Sequence, residues 1–208
     1  MTSGPEYWPR AKRALARRDP VLALIIRAHP RIALQSRGDP FKTLARSIVG
    51  QQISVKAAQS IWDRLAAVAP DLSPHAVHKL RLSRLRAVGL SMRKAEYVRD
   101  LARHFVDGTL HVHRWPKMDD EAVIDELIAV RGIGRWTAEM FLMFNLLRPD
   151  VLPADDLGLR KAVFRHYVGG DGLAETGVVR KVGEEWRPWR TVGTWYMWRS
   201  LNPVPVKH

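Results

Sequence analysis

Along most of the chain the apolar residues return every three or four positions, the spacing of a helix face, and nowhere do they alternate with polar ones for long enough to build a sheet. The pattern predicts an all-α protein. Asp39-Pro40 sets a capping acid before a proline at a first helical position, and Phe41, Leu44, Ala45, Ile48 and Val49 follow as one buried face. After a break over Gly50 to Ser54, Ser54 can cap a second helix whose Ala57, Ala58, Ile61, Trp62 and Leu65 share a side. A short helical turn over Ser83 to Ala87 ends at Gly89, and Ser91 opens a longer helix that reaches Phe105 and stops near Gly108. The acids that open DDEAVIDELIAV suit a helix start, with Val123, Ile124, Leu127 and Ile128 keeping the same period. From Arg135 to about Leu147 the chain is apolar nearly all round. Trp136, Met140, Phe141, Phe144 and Leu147 fall on one stripe, which predicts a central buried helix ending before Pro149. A loop with Pro153 then leads to Asp155-Asp156, a helix to roughly Tyr167, a Gly169-Gly170 break and two further helices bracketing RPWR.

The chain of 208 residues has room for one domain or for two small lobes that share a cleft. Its 34 Lys and Arg against 21 Asp and Glu leave a formal charge of +13, which gathers polyanions; nucleic acid is the leading partner, and an anionic membrane surface comes second. The absence of cysteine excludes disulfides, thiolate zinc sites, iron–sulfur clusters and a cysteine nucleophile. His111 and His113 have no acidic or histidine partner at ligand spacing, so no metal is expected. The apolar stretch from Val21 to Ile26 is too short to span a bilayer, and the basic run Arg10 to Arg18 lacks the apolar core and cleavage pattern of a secretory signal. An intracellular protein, cytoplasmic or associated with the nucleoid, is expected.

The stretch VRGIGRWTAEMFL places Gly132 and Gly134 one residue apart between two helical segments. Glycine permits positive φ and a close backbone approach. The amides of Gly132, Ile133 and Gly134 are therefore expected to point outward at the start of the next helix, where they and the helix dipole could hold a phosphate. Arg135 would add a full charge there and the Thr137 hydroxyl a donor. A bare G-x-G reads equally well as a helix corner with glycine for steric reasons.

Longer blocks add to this. LIAVRGIGRWTAEMF resembles the helix-hairpin-helix of the DNA glycosylase superfamily, and VLPADDLGLRKAV resembles the glycine/proline-rich loop and catalytic aspartate that follow it. With IVGQQISVKAA and EEWRPWRTVGTWYMW, the chain from Asp39 to Trp198 is similar to the AlkA-type 3-methyladenine DNA glycosylases. The resemblance implies two helical lobes with a central cleft: residues 39–148 carry the hairpin, and 1–38 with 149–208 carry the aspartate. It also implies a monofunctional enzyme of base excision repair that acts on double-stranded DNA. Such an enzyme flips out an alkylated purine of the 3-methyladenine or 7-methylguanine type and hydrolyses its N-glycosidic bond.

By the same resemblance Asp156 is the catalytic acid, steadying an oxocarbenium-like sugar, and Asp155 becomes the helix cap or a supporting charge. One carboxylate suffices chemically because an alkylated base already carries positive charge and leaves readily. Trp136 stands where strand-cutting relatives hold a Schiff-base lysine, so no lyase step is expected. Trp136, Trp198, Met140 and Leu157 would line the base pocket, the indoles favouring a cationic base, and Gln52 would be the wedge that fills the vacated stack. Arg131 replaces the proline usual before the hairpin's first glycine and makes the turn more basic. Arg160, Lys161 and Arg165 could flank the DNA path. No cofactor is implied, a monovalent cation under the hairpin carbonyls is left open, and a monomer is expected. Two rival readings keep the hairpin: a non-catalytic DNA-binding module, and a glycosylase for oxidised or mismatched bases.

Overall fold

The computed structural model describes residues 4–30 and 33–201, and among them it contains helices and no strand. None of the helices is long and apolar enough to cross a membrane. The chain divides into two compact units, residues 37–141 and residues 1–36 with 142–208. The second boundary thus falls at 141 rather than at 148. The reason is local: Tyr7 donates its hydroxyl to the Leu147 carbonyl at 2.8 Å, Ser36 donates to that of Asn145 at 3.0 Å, and Phe144 stacks on Trp198. The end of the hairpin's second helix therefore packs with the chain termini.

In the 37–141 unit the caps fall where polar residues precede the apolar periods. Asp39 accepts from the Lys42 amide at the start of α3 (Pro40–Gly50), and Ser54 does the same for Ala57 in α4 (Val55–Val68). Ser73 caps α5 (Pro74–Lys79), and α6 (Leu82–Ala87) follows without a side-chain cap. Ser91 caps α7 (Met92–Val106) and Asp119 caps α8 (Asp120–Ile128). Each such cap stabilises its helix by about 1 kcal/mol. Phe41, Phe105, Trp115 and Phe141 form a chain of edge-to-face rings through the core, the first and last pairs 5.2 Å apart. On α4 only Leu65 of the expected face is fully buried; Ile61 and Trp62 are half-covered and Ala57 is exposed. His111 finds an acidic partner that local spacing does not show. Its Nδ1 lies 2.6 Å from Glu126 on α8, whose other oxygen accepts from the His111 amide and the Trp115 indole. This acidic partner is fifteen residues away in sequence, outside any local ligand spacing, and it ties the 107–118 segment to α8.

The other unit opens with two helices that the pattern alone did not separate, α1 (Trp8–Arg18) and α2 (Pro20–Ala28). Asp19 stands between them, 7% exposed, and caps α2 through the Leu22 amide. Its second oxygen accepts from Tyr167 at 2.5 Å and Trp186 at 3.0 Å, so a buried carboxylate is satisfied by three donors. Beyond α9 (Arg135–Phe144) the unit continues with α10 (Leu157–Val163), a wide turn over Phe164–Val168, α11 (Thr176–Glu184) and α12 (Arg190–Leu201). The loop before α10 is strapped to the start of α12. Arg190 makes a two-pronged contact with the Asp150 carboxylate at 2.9 and 3.0 Å, and the Thr191 hydroxyl bridges the Arg148 carbonyl and the Val151 amide.

Candidate active site

Asp156 ends the strapped loop and is itself the N-cap of α10: its Oδ1 accepts from the Leu159 amide at 2.7 Å. The capping role expected of Asp155 therefore belongs to Asp156, while Asp155 is exposed and accepts from the Thr176 hydroxyl at 2.9 Å. A second donor meets the same oxygen. The Trp198 indole N–H, two turns into α12, reaches Asp156 Oδ1 at 2.7 Å. Two donors on one oxygen lock the carboxylate's rotamer and orient its negative charge at a half-buried helix start. Trp198 is locked in turn, since Phe144 stacks on it at 6.0 Å with planes 9° apart. Expected as a pocket wall, this tryptophan is first of all the residue that holds the carboxylate.

Gly158 makes that approach possible. A β-carbon there would lie 3.1 Å from both Asp156 Oδ1 and Trp198 Cδ1. Gly158→Ala is accordingly expected to loosen the indole–carboxylate bond and to cost about 1 to 3 kcal/mol of stability, the range for overpacking. Thermal unfolding would measure it, and an unchanged midpoint would show that the close approach does not need glycine.

The hairpin lies in the other unit, between α8 and α9. Gly132 adopts φ +87°, and a β-carbon on it would overlap the Tyr97 ring at 2.2 Å. Gly134 has open space on that side and no positive φ. The expectation of three outward amides needs correction, because the Ile133 N–H donates to the Val130 carbonyl at 3.1 Å to close the turn and the Ile133 side chain is buried. The amides of Gly132 and Gly134 make no bond to protein among the described residues. Thr137 is buried in the first turn of α9. Arg135 is not a lone charge: Glu121 at 2.5 Å and Glu139 at 3.3 Å flank its guanidinium, and the Glu121 hydrogen bond holds its pKa above the ordinary value. Arg131 likewise pairs with Glu96 at 3.1 Å, and its amide donates to Asp100, so the extra arginine adds little net charge.

The turn at 50–54 sits against this hairpin. Gln51 donates its side-chain amide to the Gly132 carbonyl at 2.9 Å, and Lys94 Nζ donates to the carbonyls of Val49 at 2.8 Å and Gln51 at 2.5 Å. Gln52, the expected wedge, is exposed and takes a left-handed backbone, φ +58°. Gln51 and Lys94 were not singled out in the sequence because each acts through backbone carbonyls distant in the chain, which no periodicity marks.

The four expected pocket residues are shared between the units. Trp136 and Met140 belong to 37–141, and Leu157 and Trp198 to the unit that carries Asp156. Trp136 is 49% exposed rather than buried on the α9 stripe, because α9 turns Ala138, Phe141 and Leu142 inward; Met140 is half-buried and Leu157 is 61% exposed. Of the flanking cations, Arg160 donates to the Ala174 carbonyl and Arg165 pairs with Asp171, while Lys161 is exposed. Among the described residues no group of three or more His, Asp or Glu could hold a metal.

This arrangement has counterparts of known kind. Residues 45–188 match the model for HhH-GPD superfamily base excision DNA repair proteins. The chain is 32% identical to the Bacillus subtilis protein YfjP over 189 residues, which is 87% of this chain and 66% of YfjP. A crystal structure of the Bacillus halodurans DNA-3-methyladenine glycosidase superposes with a TM-score of 0.83 at 34% identity, covering 93% of this chain and 89% of that one. The Schizosaccharomyces pombe 3-methyladenine DNA glycosylase in complex with abasic DNA gives 0.79 at 28% identity, covering 92% and 96%.

Proposed function

Because the chain belongs to the HhH-GPD superfamily of base excision DNA repair proteins, we propose that it is a DNA glycosylase that releases alkylated purines from double-stranded DNA. The observation that carries the reading is the Asp156 carboxylate, fixed by the Trp198 indole and the Leu159 amide beside Gly158. Departure of an N-linked base leaves positive charge on the deoxyribose, and an oriented anion lowers the energy of that state without reorganising when it forms. A base alkylated at N3 or N7 is already cationic, so it departs without an enzymic acid. The exposed indole of Trp136 offers a π face to such a base. The open Gly132 and Gly134 amides fit a DNA phosphate, helped by the positive end of α9, while the paired Arg135 adds little. Gln52, exposed on a left-handed backbone, is the residue proposed to enter the stack when the base leaves it. The direct test is to incubate the protein with duplex DNA carrying 7-methylguanine or 3-methyladenine and to measure free base; retention of every base would overturn the reading.

The reaction stops at an abasic site. Trp136 offers no amine, and an imine with the opened sugar requires one. Borohydride added during turnover is expected to trap no protein–DNA adduct on a denaturing gel; a trapped band would reveal a lyase.

A further inference from the structure

We propose that Lys94 and Gln51 are positioning residues that clamp the 50–54 turn against the hairpin and so set the point at which Gln52 enters the duplex. This rests on the reading of Gln52 as the inserted residue. The Val49 and Gln51 carbonyls lie at the C-terminal end of α3, where helix carbonyls lack intrahelical partners and carry partial negative charge. Lys94 supplies the missing donors to both. Lys94 is half-buried, burial lowers its pKa from the ordinary value, and its two hydrogen bonds hold the amine on the turn. The Gln51 side chain then spans to the Gly132 carbonyl, inside the one turn whose glycine is dictated by Tyr97. Between these anchors the chain is over-determined. That explains why Gln52 keeps a left-handed backbone that side-chain-bearing residues rarely adopt, with Ile53 exposed beside it. Freed from either anchor, residue 52 would relax to an ordinary φ and swing its side chain away from its present direction. The same contacts link the two elements expected to touch DNA, the wedge turn and the phosphate hairpin, so that engaging a phosphate at one fixes the other.

The experiment compares wild type, Lys94→Met, Gln51→Glu and Gln52→Ala on a duplex with 7-methylguanine opposite cytosine and on the same strand with the lesion opposite an abasic gap, where little stacking or pairing opposes extrusion. A 2-aminopurine beside the lesion reports extrusion by fluorescence even if no base is released. Gln51→Glu keeps the shape of the side chain but sets a carboxylate against the Gly132 carbonyl. Each variant is expected to slow single-turnover release from the paired duplex by roughly tenfold and to reduce the fluorescence rise, while release opposite the gap stays within about twofold. Lys94→Arg, which keeps the donors, is expected to recover most of the loss. Folded Lys94→Met and Gln51→Glu proteins that extrude like wild type would overturn the clamp, as would equal losses on both duplexes. A harmless Gln52→Ala beside impaired clamp variants would instead overturn the reading of Gln52, and a wild type that extrudes the lesion but releases no base would overturn the glycosylase reading alone.

Discussion

Asp156→Asn is expected to remove nearly all base release while leaving the protein folded. Asparagine caps helices about as well as aspartate and can accept from the Leu159 amide and the Trp198 indole in the same place, so the local scaffold survives. What disappears is the charge. A full anion about 4 Å from a cationic sugar, at an effective dielectric near 20, is worth about 4 kcal/mol, or roughly 1000-fold in rate. Single-turnover release of 7-methylguanine is therefore expected to fall by about two to three orders of magnitude, with circular dichroism and the unfolding midpoint unchanged. Asp156→Ala should lose the same activity and in addition about 1 kcal/mol of stability, because the cap goes with the charge. Full activity in the asparagine variant would mean that the carboxylate only caps α10.

Gly132→Ala is expected to be the most damaging glycine substitution in the hairpin. The new β-carbon would sit 2.2 Å from Tyr97 Cδ2 on a backbone held at φ +87°, and the ring has Arg131 over one face at 5.8 Å. Left-handed strain and overpacking each cost about 1 to 3 kcal/mol, so a total near 2 to 6 kcal/mol is expected, lowering the thermal midpoint by roughly 4 to 24 °C. Gly134→Ala, with nothing within 4 Å and no positive φ, should change stability by less than about 1 kcal/mol. Thermal unfolding of the two variants side by side separates the roles; equal midpoints would contradict a steric reason for Gly132. The two glycines thus do different work, one fitting the turn against Tyr97 and the other opening the helix start.

The apolar period and its capping residues made most helices legible: Asp39, Ser54, Ser91 and Asp119 all cap where polarity gives way to helical spacing. The terminal pair α1 and α2 escaped because Asp19-Pro20, their boundary, sits between a basic run and an apolar run that differ in composition more than in period. Asp156 was visible as an acid entering a helix, but local chemistry could not decide between it and Asp155. The Leu159 amide makes Asp156 the cap, and the indole that joins it on the same oxygen arrives from forty-two residues downstream.

Helical class, the hairpin with its glycines and the large excess of positive charge were determined by the sequence alone, because each depends on neighbours within a turn or two of the chain or on simple sums over it. Pairing was decided by the tertiary structure. It neutralised Arg135 and Arg131 with glutamates from other helices, spent the Ile133 amide inside the turn, gave His111 to Glu126, and aimed Trp198 at Asp156. Hydrogen bonds and ion pairs act over a few ångströms whatever the separation along the chain, and only the folded backbone determines which groups come that close.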